Sequence, residues 1–466
     1  MSGPRSAGLD RESLRILSEA LAALDAGFDA LPSAEPAGAG RRLDVERVVL
    51  EVAERLRDNY PYFHPLYAGQ MLKPPHPVAR TAYALAMWIN PNNHALDGGR
   101  ATSAMEKEAV AQIAAMFGWT TSSPAAPAPL GHLTGGGTMA NLEALWVGRQ
   151  LSPGTVVASE SAHYTHPRIS SVLGLAFEPV ASDSRGRMDA GALERRLQQG
   201  GVSTVVATMG TTATGSVDPL PEIIALRERY GFRLHADAAY GGYFGLTDNL
   251  APDARRAFDR LGEADSIVID PHKHGLQPYG CGCVLFRDAS VGRFYRHDSP
   301  YTYFSSTELH LGEISLECSR PGAAAAALWA TMRLLPLSSG GEFARDLARS
   351  RAAALELHAR IERDPRFLAA FEPELDIVVW LPRAPTAAAA SSLSRAIFEE
   401  AARRNLHLAL AELPLRFFGT AGEALRGEAQ TATGLRSVLM KPEHADWVER
   451  IWTLLDEATD AARKKF

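Results

Sequence analysis

A lysine flanked by histidines, in Asp270-Pro-His-Lys273-His274, follows an apolar run and is the residue of this chain best suited to attack a carbonyl. Nearby positive groups or desolvation make such an ammonium shed its proton, and the free amine is a nucleophile. A second segment, His235-Ala-Asp237-Ala-Ala-Tyr-Gly-Gly242, puts a carboxylate directly after another apolar run, with small residues that let a flat ligand come close. A third, Thr134-Gly-Gly-Gly-Thr-Met-Ala-Asn141, leads into the helical stretch LEALWVGRQ. Consecutive glycines bare their N–H groups and the helix adds its positive end, which together cradle a phosphate. No GK[ST] follows and the pattern is not GxGxxG, so neither familiar nucleotide loop is present. A fourth segment, Ser159 to Gly174, carries His163 just past an apolar run, where an imidazole can stack on an aromatic ligand or shuttle protons. Each segment alone has an ordinary alternative: a surface lysine, a helix-capping aspartate, a tight turn, a capping histidine.

The elements around them bring the four together. Strand-like runs at 155–158, 203–207, 233–236, 266–269 and 282–286 are separated by helical patterns such as 189–199 and 219–230. That alternation predicts a mainly parallel sheet with helices on both faces. Ligands of such sheets bind at the carboxyl ends of the strands, which is where the four segments fall. A single ligand carrying a phosphate, a basic ring nitrogen and an aldehyde uses all of them, and pyridoxal 5'-phosphate has all three. Upstream, helical patterns at 10–30 and 43–58 flank a loop-like 31–40, and 59–77 reads as ordered irregular chain. Downstream of about 340, long helices surround the strand-like 376–382, and Ala387–Ala390 begins a helix.

Composition narrows the function classes. The chain has 466 residues, room for roughly two to four folding units. Lys plus Arg number 48 against 54 Asp plus Glu, a net charge of −6. With no basic run, neither a nucleic acid nor an anionic membrane is an expected partner. No apolar run is long enough to span a bilayer, the N-terminal residues lack a signal core, and Cys281, Cys283 and Cys318 are the only cysteines. A cytoplasmic location is expected, and no metal is, since CxC lacks a second ligand pair.

Three of these segments and two more resemble the group II pyridoxal-phosphate-dependent amino-acid decarboxylases, of fold type I. TGGGTMANLEAL is similar to their TSGGTEANLxAL, HADAAYGG to HxDAAxGG, and DPHKH to DxHKW or DxHKM. ATMGTTATGSVDP at 207–219 resembles xTxGTTxxGxxDP, and LECSRPGAAAAALWATM at 316–332 resembles xxxSRxGxxxxxLWxxM. The likeness is strong over about 59–340 and weaker to about 455. It implies a mainly parallel seven-stranded sheet flanked by helices in residues 71–338. An N-terminal helical segment, 1–70, would wrap a second subunit of a homodimer, and 339–466 would form a small α/β domain. Lys273 would carry the cofactor, Asp237 pair with its ring nitrogen, and His163 stack on the ring. Gly136, Gly137, Thr138 and His272 would hold the phosphate, while Thr208 and Ala239 line the ring.

The implied reaction is decarboxylation of an L-amino acid to the amine and CO2 through an aldimine and a quinonoid, with aromatic substrates such as tyrosine favoured. Gln70, in HPLYAGQ, falls in a stretch lining the substrate pocket, and Arg436, in GLRSVLM, where members bind the substrate carboxylate; a surface arginine on a strand is the alternative. His297 to Phe304 falls where members have a mobile loop whose tyrosine protonates Cα, with Tyr301 preferred to Tyr303. Met139 and His274 depart from the usual Glu and Trp or Met. Alternative activities are decarboxylation of glutamate or aspartate, and C–C cleavage of the sphingosine-phosphate-lyase type; a non-catalytic homologue is the alternative outside enzymes.

Overall fold

A computed structural model describes residues 11–32, 42–94, 98–120, 129–295, 315–425 and 429–465. Four helices come first: α1 (Glu12–Ala26), α2 (Arg42–Leu56), α3 (Pro77–Met87) and α4 (Arg100–Met116). Alternation follows, with β1 (Leu130–Thr134), α5 (Gly137–Leu151), β2 (Thr155–Ser159), α6 (Thr165–Val172), β3 (Phe177–Val180), α7 (Ala190–Leu197), β4 (Val202–Thr208), α8 (Leu220–Tyr230), β5 (Arg233–Asp237), α9 (Pro252–Asp259), β6 (Ser266–Ile269), β7 (Gly282–Phe286) and α10 (Gly322–Leu334). The remainder comprises α11 (Glu342–Arg363), β8 (Phe367–Ala369), β9 (Ile377–Pro382), α12 (Ala387–Arg403), β10 (Ala409–Pro414), α13 (Gly419–Ala424), β11 (Thr431–Val438) and α14 (His444–Arg463).

The first seven strands form one sheet in the order β1-β7-β6-β5-β4-β2-β3. β2, β3, β4, β5 and β6 pair in parallel, while β7 runs antiparallel to both β1 and β6. The sheet is therefore mainly parallel with a single reversed strand, a reversal that the apolar run at 282–286 did not announce. Helices cover both faces, and the strands show why. In β4, Val205 and Ala207 pack with Leu193 of α7 and Ile223 of α8, while Val206 turns the other way towards Leu145 of α5 and Ile169 of α6. That is the period-two geometry of a strand buried on both sides.

Six of the seven strands point the same way, so the ends of β1, β2, β4, β5 and β6 share one edge. The glycine loop, His163, Thr208, Asp237 and Lys273 all leave from that edge. The strands β8–β11 form a second, antiparallel sheet in the order β10-β11-β9-β8. Val378 and Trp380 of β9 face α11, α12 and α14, whereas Val379 and Leu381 join the core that holds the large sheet. One apolar core thus ties the two sheets together.

At the N-terminus α1 lies against α3, half-burying Leu17 and Leu24, while Leu14 stays exposed. The apolar face expected to need a second subunit is thus partly covered within the chain. α2 is different: Val45, Val48, Val49, Val52 and Leu56 are all exposed.

Candidate active site

Nine of the residues singled out for cofactor binding, Gly136, Gly137, Thr138, His163, Thr208, Asp237, Ala239, His272 and Lys273, line one cavity of about 490 Å³. Lys273 reaches it from a tight turn after β6, closed by the Lys273 N–H donating to the Asp270 carbonyl at 2.9 Å. Its Nζ lies 2.9 Å from Asp270 Oδ2. The other carboxylate oxygen, Oδ1, is buried with no hydrogen-bond partner. His272 Nδ1–H donates to the Cys281 carbonyl at 2.8 Å, turning Nε2 towards the cavity side. Burial lowers the His272 pKa, and Asp270 opposes that shift.

Asp237 closes β5 and is nearly buried. Oδ1 accepts the Ala239 N–H at 3.1 Å, and Oδ2 accepts His166 Nε2–H at 2.8 Å and Asn141 Nδ2–H at 3.4 Å. Burial would raise its pKa, but the hydrogen bond from His166 and the nearby charge of Lys273 outweigh that and hold it well below the ordinary carboxylate range. Asn141 is itself oriented: Oδ1 accepts His235 Nε2–H at 2.8 Å, so Nδ2 faces Asp237 and the Gly137 carbonyl. Burial drives the His235 pKa down to about 3, so its ring is neutral and its Nδ1 accepts from Ser266 Oγ.

The loop Gly135–Gly137 depends on lacking side chains. Gly136 has φ 149°, and a Cβ on Gly137 would meet Asp270 Oδ2 at 2.7 Å. Gly137 heads α5, so the unpaired N–H groups of the helix's first turn belong to residues that line the cavity. Glu317, which also lines the cavity, braces the loop by accepting the Gly135 N–H at 2.9 and 3.0 Å. Beneath, Asp218 accepts the Thr208 and Met188 N–H groups, each at 2.7 Å, and fixes the turn after β4. Thr208 Oγ1 is left buried with no partner. His163 also lines the cavity, its pKa lowered by burial.

Pyridoxal phosphate fits these residues. A glycine cradle at a helix N-terminus suits its phosphate, an ionised carboxylate its ring nitrogen, an unpartnered hydroxyl its ring substituents, and a lysine its aldehyde.

Arg436 and Gln70 do not line this cavity but meet beside it. Ala68 binds into the small sheet through His407 and Val438, which brings Gln70 to β11. Arg436 Nη1 donates to Gln70 Oε1 at 3.0 Å and to the Gly69 carbonyl at 3.3 Å. Nε and Nη2 donate to the Ala213 and Thr212 carbonyls at 3.0 and 2.7 Å, and Thr212 lines the cavity. Arg436 is buried, which overturns the surface alternative. Tyr301 and Tyr303 lie outside the described residues. The sequence reading passed over His166, Asn141, Asp270 and Glu317 as site residues. Only His166 carried a signal, its spacing of three from His163 at the start of a helix.

The family model of the pyridoxal-dependent decarboxylase conserved domain matches residues 61–381. The chain is 28% identical to an L-tyrosine decarboxylase of Enterococcus faecium, over 63% of this chain and 64% of that protein, so it spans just under two thirds of that relative's length. It is 31% identical to a probable L-tyrosine/L-aspartate decarboxylase of Methanothermobacter thermautotrophicus, over 67% of this chain and 82% of that one. Among solved structures, the fold is similar to that of Oryza sativa TDC with PLP and tryptamine, with a TM-score of 0.75 and 18% identity over 99% of both chains. For mouse CSAD the TM-score is 0.74 with 21% identity, over 96% of this chain and 99% of that one. From a glycine cradle, an ionised aspartate and a lysine on one sheet edge, and from these likenesses, the conclusion is that the chain belongs to the pyridoxal-dependent decarboxylase family, with the type I α/β fold and pyridoxal phosphate as cofactor.

Proposed function

We propose that the protein is a carboxy-lyase that converts an L-amino acid to its amine and CO2, with tyrosine the favoured substrate. The observation that carries this reading is that Lys273, Asp237 and the glycine loop line one cavity, in a chain of this family. Relatives named for L-tyrosine and for L-tyrosine/L-aspartate support the substrate class. Bound pyridoxal phosphate supplies an electron sink for the pair left on Cα when the carboxylate departs. Lys273 would hold the cofactor, with Asp270 Oδ2 at 2.9 Å from its Nζ to balance the ammonium when it is free. Asp237 would pair with the ring nitrogen and favour its protonated form, His163 would lie against the ring, and the loop from Gly136 to Thr138, with His272, would take the phosphate. Thr208 and Ala239 bound the ring. A panel of the twenty amino acids tests the reading: CO2 and tyramine from tyrosine support it, CO2 from aspartate or glutamate alone moves the substrate, and aldehyde release without CO2 reassigns the reaction to C–C cleavage.

Gln70 and Arg436 form the substrate-carboxylate end of the site in this reading, since a guanidinium beside the cavity wall suits a carboxylate. Arg436→Met is expected to raise KM by roughly 10- to 100-fold, the worth of a hydrogen bond to a charged group, with Gln70→Ala smaller. Steady-state kinetics checks this, and an unchanged KM in both variants removes the assignment.

Tyr301, on the segment resembling the family's mobile loop, donates the proton to Cα after CO2 loss. A phenol with a pKa near ~10 is acid enough for a carbanion. Tyr301→Phe should leave cofactor and substrate binding intact and slow amine formation by roughly 10²–10⁴-fold, the range of one general acid. Full activity in Tyr301→Phe with loss in Tyr303→Phe would transfer the role to Tyr303.

The enzyme acts as a cytoplasmic homodimer in this reading. The exposed valines of α2, with Leu50 and Leu56, support a partner surface, because water-facing apolar side chains at helical spacing are stabilised when covered. Free Cys281, Cys283 and Cys318 suit a reducing compartment. Sedimentation is expected to show a dimer down to the lowest active concentration, and an active monomer overturns it.

A further inference from the structure

Two histidines belong to the turn that follows β2, and they face different ways. His163 lines the cavity, whereas His166, three residues on in the first turn of α6, is fully buried beside it. His166 makes the shortest hydrogen bond on Asp237, at 2.8 Å, against 3.1 Å from Ala239 and 3.4 Å from Asn141. Its Nδ1 is buried with no hydrogen-bond partner. Burying an imidazole with one nitrogen unsatisfied is costly, and an apolar side chain would pack there without that cost. The bond to Asp237 is what offsets it.

The same turn reaches the phosphate loop, for Thr165 Oγ1 donates to Thr138 Oγ1 at 3.2 Å. One turn thus touches the loop, the ring-facing side of the cavity and the carboxylate at the end of β5. We propose that His166 is a positioning residue that keeps Asp237 ionised and aimed at the cofactor's ring nitrogen, and that its turn couples phosphate binding to that charge. The proposal rests on Asp237 being the partner of the ring nitrogen. A charge-assisted donor favours the ionised carboxylate and fixes its rotamer. Without it, Asp237 takes up a proton or turns aside, and the ring nitrogen loses its own proton in either case.

The test loads the full chain with pyridoxal phosphate labelled with ¹⁵N in the ring, and reads the ring nitrogen by NMR, cofactor affinity by fluorescence quenching, and kcat against KM. His166→Phe, and His166→Asn, which withdraws the donor from reach, should shift the nitrogen towards its unprotonated signal. Both should weaken cofactor binding and lower kcat by roughly 10- to 100-fold, the effect of one hydrogen bond to a charged group, with KM little changed. His166→Gln, whose amide N–H stands near the place of Nε2, should restore most of each. A protonated ring nitrogen with affinity within about twofold of the wild type, in whichever of the Phe and Asn variants folds, overturns the proposal. So does a His166→Gln variant that folds and is as impaired as His166→Phe, since bulk and not the donor then matters. If Asp237→Asn leaves the ring-nitrogen signal unchanged, the role of Asp237 itself fails and this inference with it.

Discussion

Lys273→Ala is expected to eliminate measurable amine production, a loss on the order of 10⁴-fold or more, because removing one member of a catalytic unit costs nearly as much as removing the whole unit. None of the other residues lining the cavity is a lysine. Borohydride reduction checks the cause directly. It should fix the cofactor to the wild-type chain at Lys273 and leave the variant free of label. A variant that still retains covalent cofactor after reduction would falsify the assignment. Loss of the amine also deprives Asp270 of its ion-pair partner at 2.9 Å, so some destabilisation will accompany the loss. Lys273→Arg separates the two effects. It keeps a cation for Asp270 and should melt like the wild type, yet its guanidinium is too basic to attack an aldehyde, and turnover stays absent.

Asp237→Asn should fold and yet lose roughly 10²–10³-fold in kcat, about 3–4 kcal/mol of barrier. The amide has nearly the shape of the carboxylate but no charge with which to hold a proton on the ring nitrogen. Its surroundings sharpen the expectation. His166, Ala239 and Asn141 all present N–H donors to this side chain. An amide nitrogen placed among them has no acceptor to face, so the variant must turn its oxygen to His166 and its NH2 elsewhere. Cofactor affinity should fall with activity. A decline under tenfold in kcat, in protein shown to be loaded, counts against the role given to Asp237.

Much of this site was legible before any coordinates. The glycine run ahead of a helix, the aspartate and lysine after apolar runs, and the histidine after 155–158 are local patterns, each written in consecutive residues. Strand–helix alternation then puts consecutive strand ends on one edge, because each connecting helix carries the chain back to the starting end of the sheet before the next strand. The strands at 266–269 and 282–286 were readable as continuous apolar runs for the same local reason, since each is buried on both faces.

What the sequence could not carry is direction and distance. Alternation of side chains marks a strand but not which way it runs, so the reversal of β7 between β1 and β6 appears only in the sheet. His166 meets Asp237 across 71 residues, and Arg436 meets Gln70 across 366, contacts fixed by which strands become neighbours and by the 60–72 segment binding the small sheet. Likewise, near-helical leucines in α1 announce an apolar face, but α3 covers much of it within the chain and leaves the valines of α2 exposed. The sequence alone determined which groups could do the chemistry, because backbone cradles and strand-end side chains are set by neighbours along the chain. The tertiary structure decided which charge each group carries and where it points. Those depend on burial and on donors brought from distant segments, and neither is encoded in any short run of residues.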